Sequence, residues 1–412
     1  MKVLMINTFN YMRGGAERCF LELINLLEEN GHEVIKFCMH HEKNEPSPYE
    51  EHFLSHIDFP TEMKNGGLGG KVRVFERVLY SREAKQKIET LIQETKPDIA
   101  HLHGIAHEIS PSILPAIKKY NIPIIQTLHD YKLICPNTNF VSNNKVCEQC
   151  KGHRYFNVVK NRCKRGSLPA SLLSGVELYF HKMTQIYERH VDTFISPSEF
   201  LKHKVESFGI QNQIVNIPNF INIEGFTPCF EPDDYFVFFG RLVSTKGIQT
   251  LLEAMRQVKK SKLLVAGSGE LEEPLKQYCQ EHQITNVEFL GYLNTDKIIP
   301  LLQKARFVMM PSEWYENYSM AVLESFACGT PVLGAKMGGI PEQVIEGQTG
   351  LLFESGNADE MATKINYMLD HPQEAIQMSK NARKFVEQNN DPASHYEQTI
   401  SLYHQLVDPI RM

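Results

Sequence analysis

Short apolar runs alternate with amphipathic stretches along this chain, and this alternation most constrains its fold. Residues 2–7 form the first apolar run, and residues 16–30 place Phe20, Leu23 and Leu27 on one face of a predicted helix. Further strands are predicted at residues 33–39, 98–103, 122–129 and 192–196. Strands that alternate with helices form parallel sheets covered on both faces, so the fold class is α/β.

A second cycle of the same pattern is predicted to begin near residue 214. Its strands are predicted at residues 214–217, 235–239, 262–266, 287–290, 306–310 and 331–333. Because 412 residues are too many for one ordinary core, we predict two doubly wound, Rossmann-like domains facing each other across a cleft. The predicted units are an N-terminal domain (1–213), a C-terminal domain (214–394) and a C-terminal helix (395–412) that packs back on the N-terminal domain.

Composition and charge limit which binding partners and which cellular compartment are compatible with the sequence. Lys and Arg total 43 against 49 Asp and Glu, so nothing points to nucleic acid as a partner. The first residues contain too short an apolar run for a secretory signal, and no stretch reaches the roughly 18–20 apolar residues of a membrane span. Nine cysteines, an odd number, are typical of a reducing compartment. We therefore expect a cytoplasmic protein.

Glycines and cations follow two of the predicted strands, where ligands bind in open parallel sheets. Gly14 and Gly15 open the first helix, whose free N–H groups suit an anion, although a plain tight turn explains them equally well. Arg241 and Lys246 follow the strand at residues 235–239 and lie between glycines. Such a pair of cations suits a diphosphate, and the alternative is a solvated turn.

Two carboxylates, Glu316 and Glu324, occur eight positions apart in the segment 311–331. Ser319 is a plausible N-cap and Gly329 a stop, so a short helix is predicted at residues 320–328. Glu316 then lies in the preceding loop and Glu324 inside the helix, about 12 Å away by helical rise. That separation exceeds the roughly 5–9.5 Å of a glycosidase pair, so we interpret both as hydroxyl-binding groups on one extended ligand.

Taken together, these segments resemble the large retaining glycosyltransferase family with the GT-B fold, family 4, also described as glycosyl transferases group 1. The spacing of Glu316 and Glu324 is similar to the Glu-x7-Glu motif of that family. The other segments that carry the resemblance are residues 14–17, 128–130, 240–247, 328–332, 338–342 and 347–352. They occur in the family's order over nearly the whole chain.

The resemblance implies roles for the groups around the diphosphate of a nucleotide-sugar donor. Arg241 and Lys246 would hold the diphosphate, with Gly14 and Gly15 beside the phosphates. His129 would lie near the reacting carbon, as a positioning donor rather than the base; a core histidine is the alternative.

The resemblance also implies roles for the Glu-x7-Glu segment. Glu324 would bind the ribose hydroxyls, and Glu316 the hydroxyls of the donor sugar, helped by backbone N–H groups of Asn317, Tyr318 and Ser319. Family members often carry small residues or Pro at these last three positions. The identity of the donor sugar is therefore not implied.

The implied activity is retaining transfer of a hexosyl group from a nucleotide-diphosphate sugar to the hydroxyl of a sugar or a lipid-linked saccharide, in polysaccharide or glycolipid assembly. The departing phosphate would accept the proton. No metal cofactor is expected for catalysis, because fixed cations can stabilise the leaving group and no Asp-x-Asp occurs. A non-catalytic sugar-nucleotide-binding partner is the alternative, and the intact acidic and basic residues disfavour it.

Four cysteines, Cys135, Cys147, Cys150 and Cys163, lie within 29 residues, in a basic insert that we predict at residues 135–166. Thiolates at Cys-x2-Cys spacing can bind one metal ion, and the outer two could complete a structural zinc site. His153 is an alternative ligand. The outer spacings are not those of a standard zinc module, so four free thiols explain the pattern equally well.

The basic residues of the insert precede a predicted helix with several apolar residues. The cations are Lys151, Arg154, Lys160, Arg162, Lys164 and Arg165, and the apolar residues are Leu172, Leu173, Val176, Tyr179 and Phe180. Together they could contact an anionic membrane surface or a lipid-diphosphate acceptor, which would place the protein at the inner face of the membrane. A solvated loop followed by an ordinary core helix is the alternative.

Overall fold

The computed structural model describes the backbone of residues 1–411 and the side chains of residues 1–408. Its strands, in chain order, are β1 (Lys2–Ile6), β2 (Glu33–Phe37), β3 (Ile99–Leu102), β4 (Ile124–Thr127), β5 (Val141–Ser142), β6 (Lys145–Val146), β7 (Thr193–Ser196), β8 (Gln213–Asn216), β9 (Tyr235–Phe239), β10 (Lys262–Ala266), β11 (Val287–Gly291), β12 (Val308–Met310), β13 (Val332–Ala335) and β14 (Gly350–Phe353).

Helices follow most of the strands. They are α1 (Gly15–Glu29), α2 (Phe59–Asn65), α3 (Gly67–Tyr80), α4 (Arg82–Thr95), α5 (Ile113–Lys118), α6 (Phe156–Lys160), α7 (Leu168–Thr184), α8 (Ile186–His190), α9 (Glu199–Ser207), α10 (Ile248–Met255), α11 (Glu272–Glu281), α12 (Thr295–Lys304), α13 (Met320–Ala327), α14 (Ile340–Gln343), α15 (Ala358–Asp370), α16 (Pro372–Asn389) and α17 (Pro392–Arg411). Short 3-10 turns lie at Glu50–His52 and Ser244–Lys246.

Two six-stranded parallel sheets organise the molecule, as the alternation of strands and helices predicts. The first has the strand order β2-β1-β3-β4-β7-β8, and the second β11-β10-β9-β12-β13-β14. Each order reverses beside the first strand of its sheet, β1 or β9. Ligands bind at such reversal points, beyond the carboxyl ends of the strands. The α/β fold with two doubly wound units is confirmed.

The strand at residues 213–216 corrects the predicted start of the second cycle near residue 214. It pairs in parallel with β7, with Ile195 opposite Val215, and so completes the first sheet. The second sheet begins only at Tyr235. The boundary between residues 213 and 214 was wrong because apolar periodicity reveals a strand but not the partner to which it hydrogen-bonds.

The sheets are buried because their side chains alternate between two apolar layers. In β1, Val3 and Met5 join one core cluster while Leu4 and Ile6 join the opposite one. Helix α17 supplies apolar side chains to the Val3–Met5 layer, and its Tyr403 hydroxyl lies 2.6 Å from His101 Nδ1. The last helix therefore packs against the first unit.

Several side chains join the two units where the carboxyl edges of their sheets face each other. The Asn317 amide donates to the Leu128 carbonyl at 3.0 Å and accepts from Ser198 Oγ at 2.7 Å. The Glu342 carboxylate accepts from the first two backbone N–H groups of α9, at 2.8 and 2.6 Å. These contacts fix one unit against the other around a cleft.

Candidate active site

A loop with two cations leaves the carboxyl end of β9 at the centre of the second sheet. Gly247 ends the 3-10 turn that carries Lys246, and it has a positive φ of 67°. A Cβ atom at Gly247 would lie 1.8 Å from the Pro311 carbonyl oxygen, so the loop packs directly on the segment that follows β12. Lys246 therefore faces the segment that contains Glu316.

Lys246 and Glu316 form a close ion pair in a buried position. Lys246 Nζ lies 2.6 Å from Glu316 Oε1, and the same oxygen accepts from Ser312 Oγ at 2.6 Å and Trp314 Nε1 at 2.8 Å. The ammonium also lies 5.4 Å from the centroid of the Trp314 ring. Burial raises the pKa of Glu316, but the Lys246 charge and the three donors outweigh burial and hold that pKa below its usual value. Glu316 is therefore an ionised acceptor at neutral pH.

Arg241 occupies a different environment from Lys246. Its side chain is exposed, and it makes no hydrogen bond or ion pair with the described part of the chain. One cation of the loop is thus already bound to a carboxylate while the other is free to bind a ligand.

The backbone of the loop after Glu316 is held by the segment after β13. Gly339 N donates to the Glu316 carbonyl at 2.8 Å, and a Cβ at Gly339 would lie 1.8 Å from the Asn317 carbonyl oxygen. The backbone N–H groups of Asn317 and Tyr318 make no hydrogen bond among the described residues. They fit the predicted role of donors to a sugar.

The same loop corrects one predicted donor. Ser319 N–H already donates to Gln343 Oε1 at 2.8 Å, and the Ser319 carbonyl accepts from the Gln343 amide at 3.1 Å. The Tyr318 side chain is buried, with its hydroxyl 3.0 Å from Asn390 Nδ2. Ser319 was wrongly predicted as a donor because a glutamine 24 residues away takes its N–H.

Glu324 reaches across the cleft to the first unit. It pairs with Arg18 Nη1 of α1, while Arg18 Nε binds Glu22 at 2.7 Å. Burial raises the pKa of Glu324, and the Arg18 charge offsets only part of that increase. A Cβ at Gly15 would lie 3.5 Å from Met320 Cγ, so the start of α1, with Gly14 as its N-cap, lies beside the start of α13.

His129 belongs to a row of histidines behind the cleft. Its Nε2 lies 2.8 Å from His103 Nδ1, and the two rings stack with centroids 5.0 Å apart. Burial lowers the pKa of His129 to about 4, so its imidazole is neutral at neutral pH. A neutral ring can position a hydroxyl but cannot supply a fixed positive charge.

The predicted residues therefore lie at the facing carboxyl edges. Asn317 links the Glu316 loop to the backbone before His129, and Glu324 links α13 to α1. The motif residues are held in place by side chains that the sequence pattern did not indicate, namely Arg18, Ser312, Trp314, Ser198 and Gln343. The four cysteines lie in the insert beside this region, and all are free thiols.

Two facing parallel α/β units with a shared cleft define the GT-B class of glycosyltransferase. The model of Glycosyltransferase Family 4 matches residues 13–224, and that of glycosyl transferases group 1 matches residues 222–385. The chain therefore belongs to glycosyltransferase family 4. The two family models meet at residues 222–224, between the end of β8 and the start of β9, and so agree with the placement of β8 in the first unit.

Similar proteins and structures agree with this class. An uncharacterized 42.6 kDa protein in the cps region of Klebsiella pneumoniae is 27% identical over 353 residues, covering 83% of this chain and 87% of that protein. A GDP-mannose-dependent monoacylated alpha-(1-6)-phosphatidylinositol monomannoside mannosyltransferase of Corynebacterium glutamicum is 30% identical over 48% of this chain and 58% of its own length.

Among solved structures, sucrose-phosphate synthase of Thermosynechococcus elongatus matches with a TM-score of 0.73 and 20% identity, over 99% of both chains. Anabaena HepE in complex with UDP and glucose matches with a TM-score of 0.69 and 18% identity, over 98% of this chain and 100% of that one. At these identities the likeness shows the fold.

Proposed function

We propose that this protein transfers a hexosyl group from a nucleotide-diphosphate sugar to an acceptor hydroxyl, with retention of the anomeric configuration. The observation that carries the proposal is the Lys246–Glu316 pair, at 2.6 Å. Arg241 lies in the same loop as Lys246, and its exposed side chain pairs with no residue that the structure describes. This arrangement offers cations to a diphosphate and an ionised acceptor to the attached sugar. The UDP-glucose complex of HepE and the GDP-mannose dependence of the Corynebacterium relative support such a donor.

Stabilising the leaving diphosphate is the main task of the site in this proposal. Arg241 and Lys246 face its charge together with the start of α1 at Gly14 and Gly15, where the first backbone N–H groups have no hydrogen-bond partner among the described residues. Glu324 accepts hydrogen bonds from the ribose. Fixed cations thus supply the charge stabilisation that a departing phosphate needs.

The roles left for Glu316 and His129 support the proposed retention of configuration. Glu316 accepts three hydrogen bonds at one oxygen, so it is better suited to binding donor-sugar hydroxyls than to acting as a nucleophile. His129 is neutral and bound to His103, which suits a positioning donor. We therefore propose same-face attack through a short-lived oxocarbenium-like state, with the leaving phosphate accepting the proton of the acceptor hydroxyl.

Replacing the loop cations tests this function. Lys246→Ala and Arg241→Ala should each lower donor turnover by roughly 10²–10³, because each removes charge from the leaving group. Turnover is measured as diphosphate release from UDP- and GDP-sugars, with extracted bacterial membrane lipids as the acceptor pool.

Arg256→Ala is the matched control, since Arg256 is exposed and follows the end of α10, away from the carboxyl edge. Arg241→Ala is the cleaner variant, because Lys246→Ala also leaves the buried Glu316 without its cation. Unchanged turnover in Arg241→Ala would contradict the diphosphate role. A wild-type protein that binds donors but turns none over would favour the non-catalytic binding partner.

We also propose that an anionic membrane surface presents the acceptor to the first unit. Helices α3 and α7 contact each other, and each leaves an apolar stripe exposed. The stripes consist of Leu68, Val72 and Phe75 on α3, and Leu168, Leu172, Val176, Tyr179 and Met183 on α7. Residues spaced three or four apart lie on one helix face, so each stripe is continuous.

Charge around these stripes favours a lipid surface as the occupant. The exposed cations Lys71, Lys160, Arg162 and Arg165 lie on α3 or in the segment that leads into α7. Apolar stripes beside cations are typical of helices that lie at an anionic interface. No described helix is long and apolar enough to cross a membrane.

Vesicle sedimentation tests the membrane contact. The wild-type protein should pellet with phosphatidylcholine vesicles that contain phosphatidylglycerol, and much less with phosphatidylcholine alone. The double variant Leu172→Ser, Val176→Ser should bind at least about tenfold more weakly, because burial of each side chain contributes roughly 1.5–3 kcal/mol. Tyr292→Ser, an exposed aromatic of the second unit, is the control. Equal binding by the double variant would contradict the proposal.

A further inference from the structure

We propose that Cys135, Cys147, Cys150 and Cys163 bind one zinc ion, and that this ion fixes the cysteine insert (residues 135–166) against the donor-binding loops. The insert lies between β4 and α7 and contacts both units of the molecule.

Little regular structure holds the insert in place. It contains the two-residue strands β5 and β6 and the short helix α6. Many of its residues have positive φ, among them Thr138, Phe140, Asn143, Asn144, His153, Arg162 and Arg165. Most of its backbone hydrogen bonds close local turns, such as that from Cys163 N–H to the Val158 carbonyl at 3.1 Å, and a metal ion would add a link between distant parts of the insert.

All four thiols of the proposed site are free and lie in the same insert. Cys135 is buried and the other three are half-buried, and none is in a disulfide. The Cys150 thiol interacts electrostatically with those of Cys135, Cys147 and Cys163.

The sulfur atoms must move closer together to bind zinc. No three of them lie within 4.8 Å of one another in the described part of the chain. Zinc–thiolate bonds of about 2.3 Å require sulfurs about 3.8 Å apart in a tetrahedron. Metal binding in this proposal therefore requires the cysteine side chains, or the turns that carry them, to move. A set of four thiols in one insert distinguishes this site from a lone thiol.

Two contacts tie the insert to the donor-binding loops of the second unit. Glu148, between Cys147 and Cys150, accepts a 2.7 Å hydrogen bond from the Tyr315 hydroxyl and pairs with Lys204 at 2.8 Å. Tyr315 directly precedes Glu316. At the other loop, Ser244 Oγ donates to Asn144 Oδ1 at 3.2 Å, two residues before Lys246.

A zinc ion on Cys147 and Cys150 would therefore fix the backbone on both sides of Glu148, and through Tyr315 the loop that carries Glu316. Loss of the ion should loosen that loop and weaken binding of the donor. The expected loss of donor binding rests on the proposed function, whereas the expected zinc content of the protein does not.

Elemental analysis of the full-length protein, purified without a metal-binding tag from zinc-supplemented cells, tests the metal site. We expect about one zinc per wild-type chain and less than a tenth in Cys147→Ser. Cys229→Ser, a half-buried thiol outside the insert, should keep the full zinc content. Cobalt exchanged into the wild-type protein should give the charge-transfer band of a tetrahedral thiolate site. This measurement uses no variant, so it does not depend on whether a cysteine variant folds.

Wild-type protein with less than a tenth of a zinc and no cobalt band would overturn the proposal, and so would a disulfide between any two of the four cysteines. The docking role is tested separately with Glu148→Ala. That variant should keep its zinc but bind the donor on the order of tenfold more weakly, because it loses two hydrogen bonds to a charged group. Full zinc loss in Cys147→Ser with unchanged donor affinity would overturn the docking role alone.

Discussion

Two carboxylates of one motif meet opposite electrostatic conditions in this molecule. Glu316 contacts Lys246 and two further donors, and its pKa lies below the usual value. Among the described residues the Glu324 carboxylate pairs only with Arg18, and burial raises the pKa of Glu324. Glu316 is ionised at neutral pH, whereas the charge of Glu324 depends on a cation from the opposite unit.

Removing that cation should therefore affect Glu324 directly. In Arg18→Ala the pKa of Glu324 should rise further, because the charge that lowers it is gone. We expect donor affinity to fall by about 1.5 kcal/mol, roughly tenfold, and to fall further as the pH is lowered, since protonation then begins at a higher pH than in the wild type. Calorimetric titration with the donor at several pH values measures this.

Arg18→Lys keeps the charge and should bind nearly as tightly as the wild type. An Arg18→Ala variant with wild-type affinity and an unchanged pH profile would show that Glu324 does not contact the donor.

At the scale of single residues, the sequence predicted the motif residues but not the side chains that pair or hydrogen-bond with them. Glu316 and Glu324 were found by spacing, whereas Arg18 lies 306 positions from Glu324 and no local pattern links them. Ser319 shows the same limit, because the glutamine that takes its N–H lies on another element.

At the scale of elements, apolar periodicity predicted which segments form strands better than it predicted which strands pair. The strands at residues 235–239 and 262–266 have the predicted bounds, because each contains an unbroken apolar run of at least four residues. The strand at 213–216 was assigned to the wrong sheet, and β14, a four-residue run, was missed. Strand partners are chosen by packing between distant segments, which the local sequence does not record.

Helix α7 illustrates how packing decides whether the apolar residues of a helix belong to the core or to an exposed surface. Its periodicity predicted a helix, and the structure has one at Leu168–Thr184. Whether its apolar residues are core or surface depends on the neighbouring helices. Leu173 and Phe180 are half-buried, whereas Leu172, Val176 and Tyr179 remain exposed.

At the scale of the whole molecule, the facing of two sheets could be predicted because both repeat one architecture. Their contacts at Asn317, Glu342 and Arg18 could not, since each joins residues more than a hundred positions apart. These contacts bring the carboxyl edges together, and the central proposal is that a nucleoside diphosphate lies between them.

Calorimetric titration of wild-type and Arg241→Ala protein with UDP and GDP tests that proposal most directly, because it requires neither the acceptor nor turnover. We predict saturable binding of one diphosphate per wild-type chain, with a gain of about 2.7 kcal/mol in the free energy of unfolding at 100 times the dissociation constant. Arg241→Ala should bind at least about tenfold more weakly, since a charge-assisted bond to phosphate is lost, with no change in its unliganded melting temperature. Wild-type protein that binds neither diphosphate, or an Arg241→Ala variant that binds as tightly as the wild type, would contradict the account.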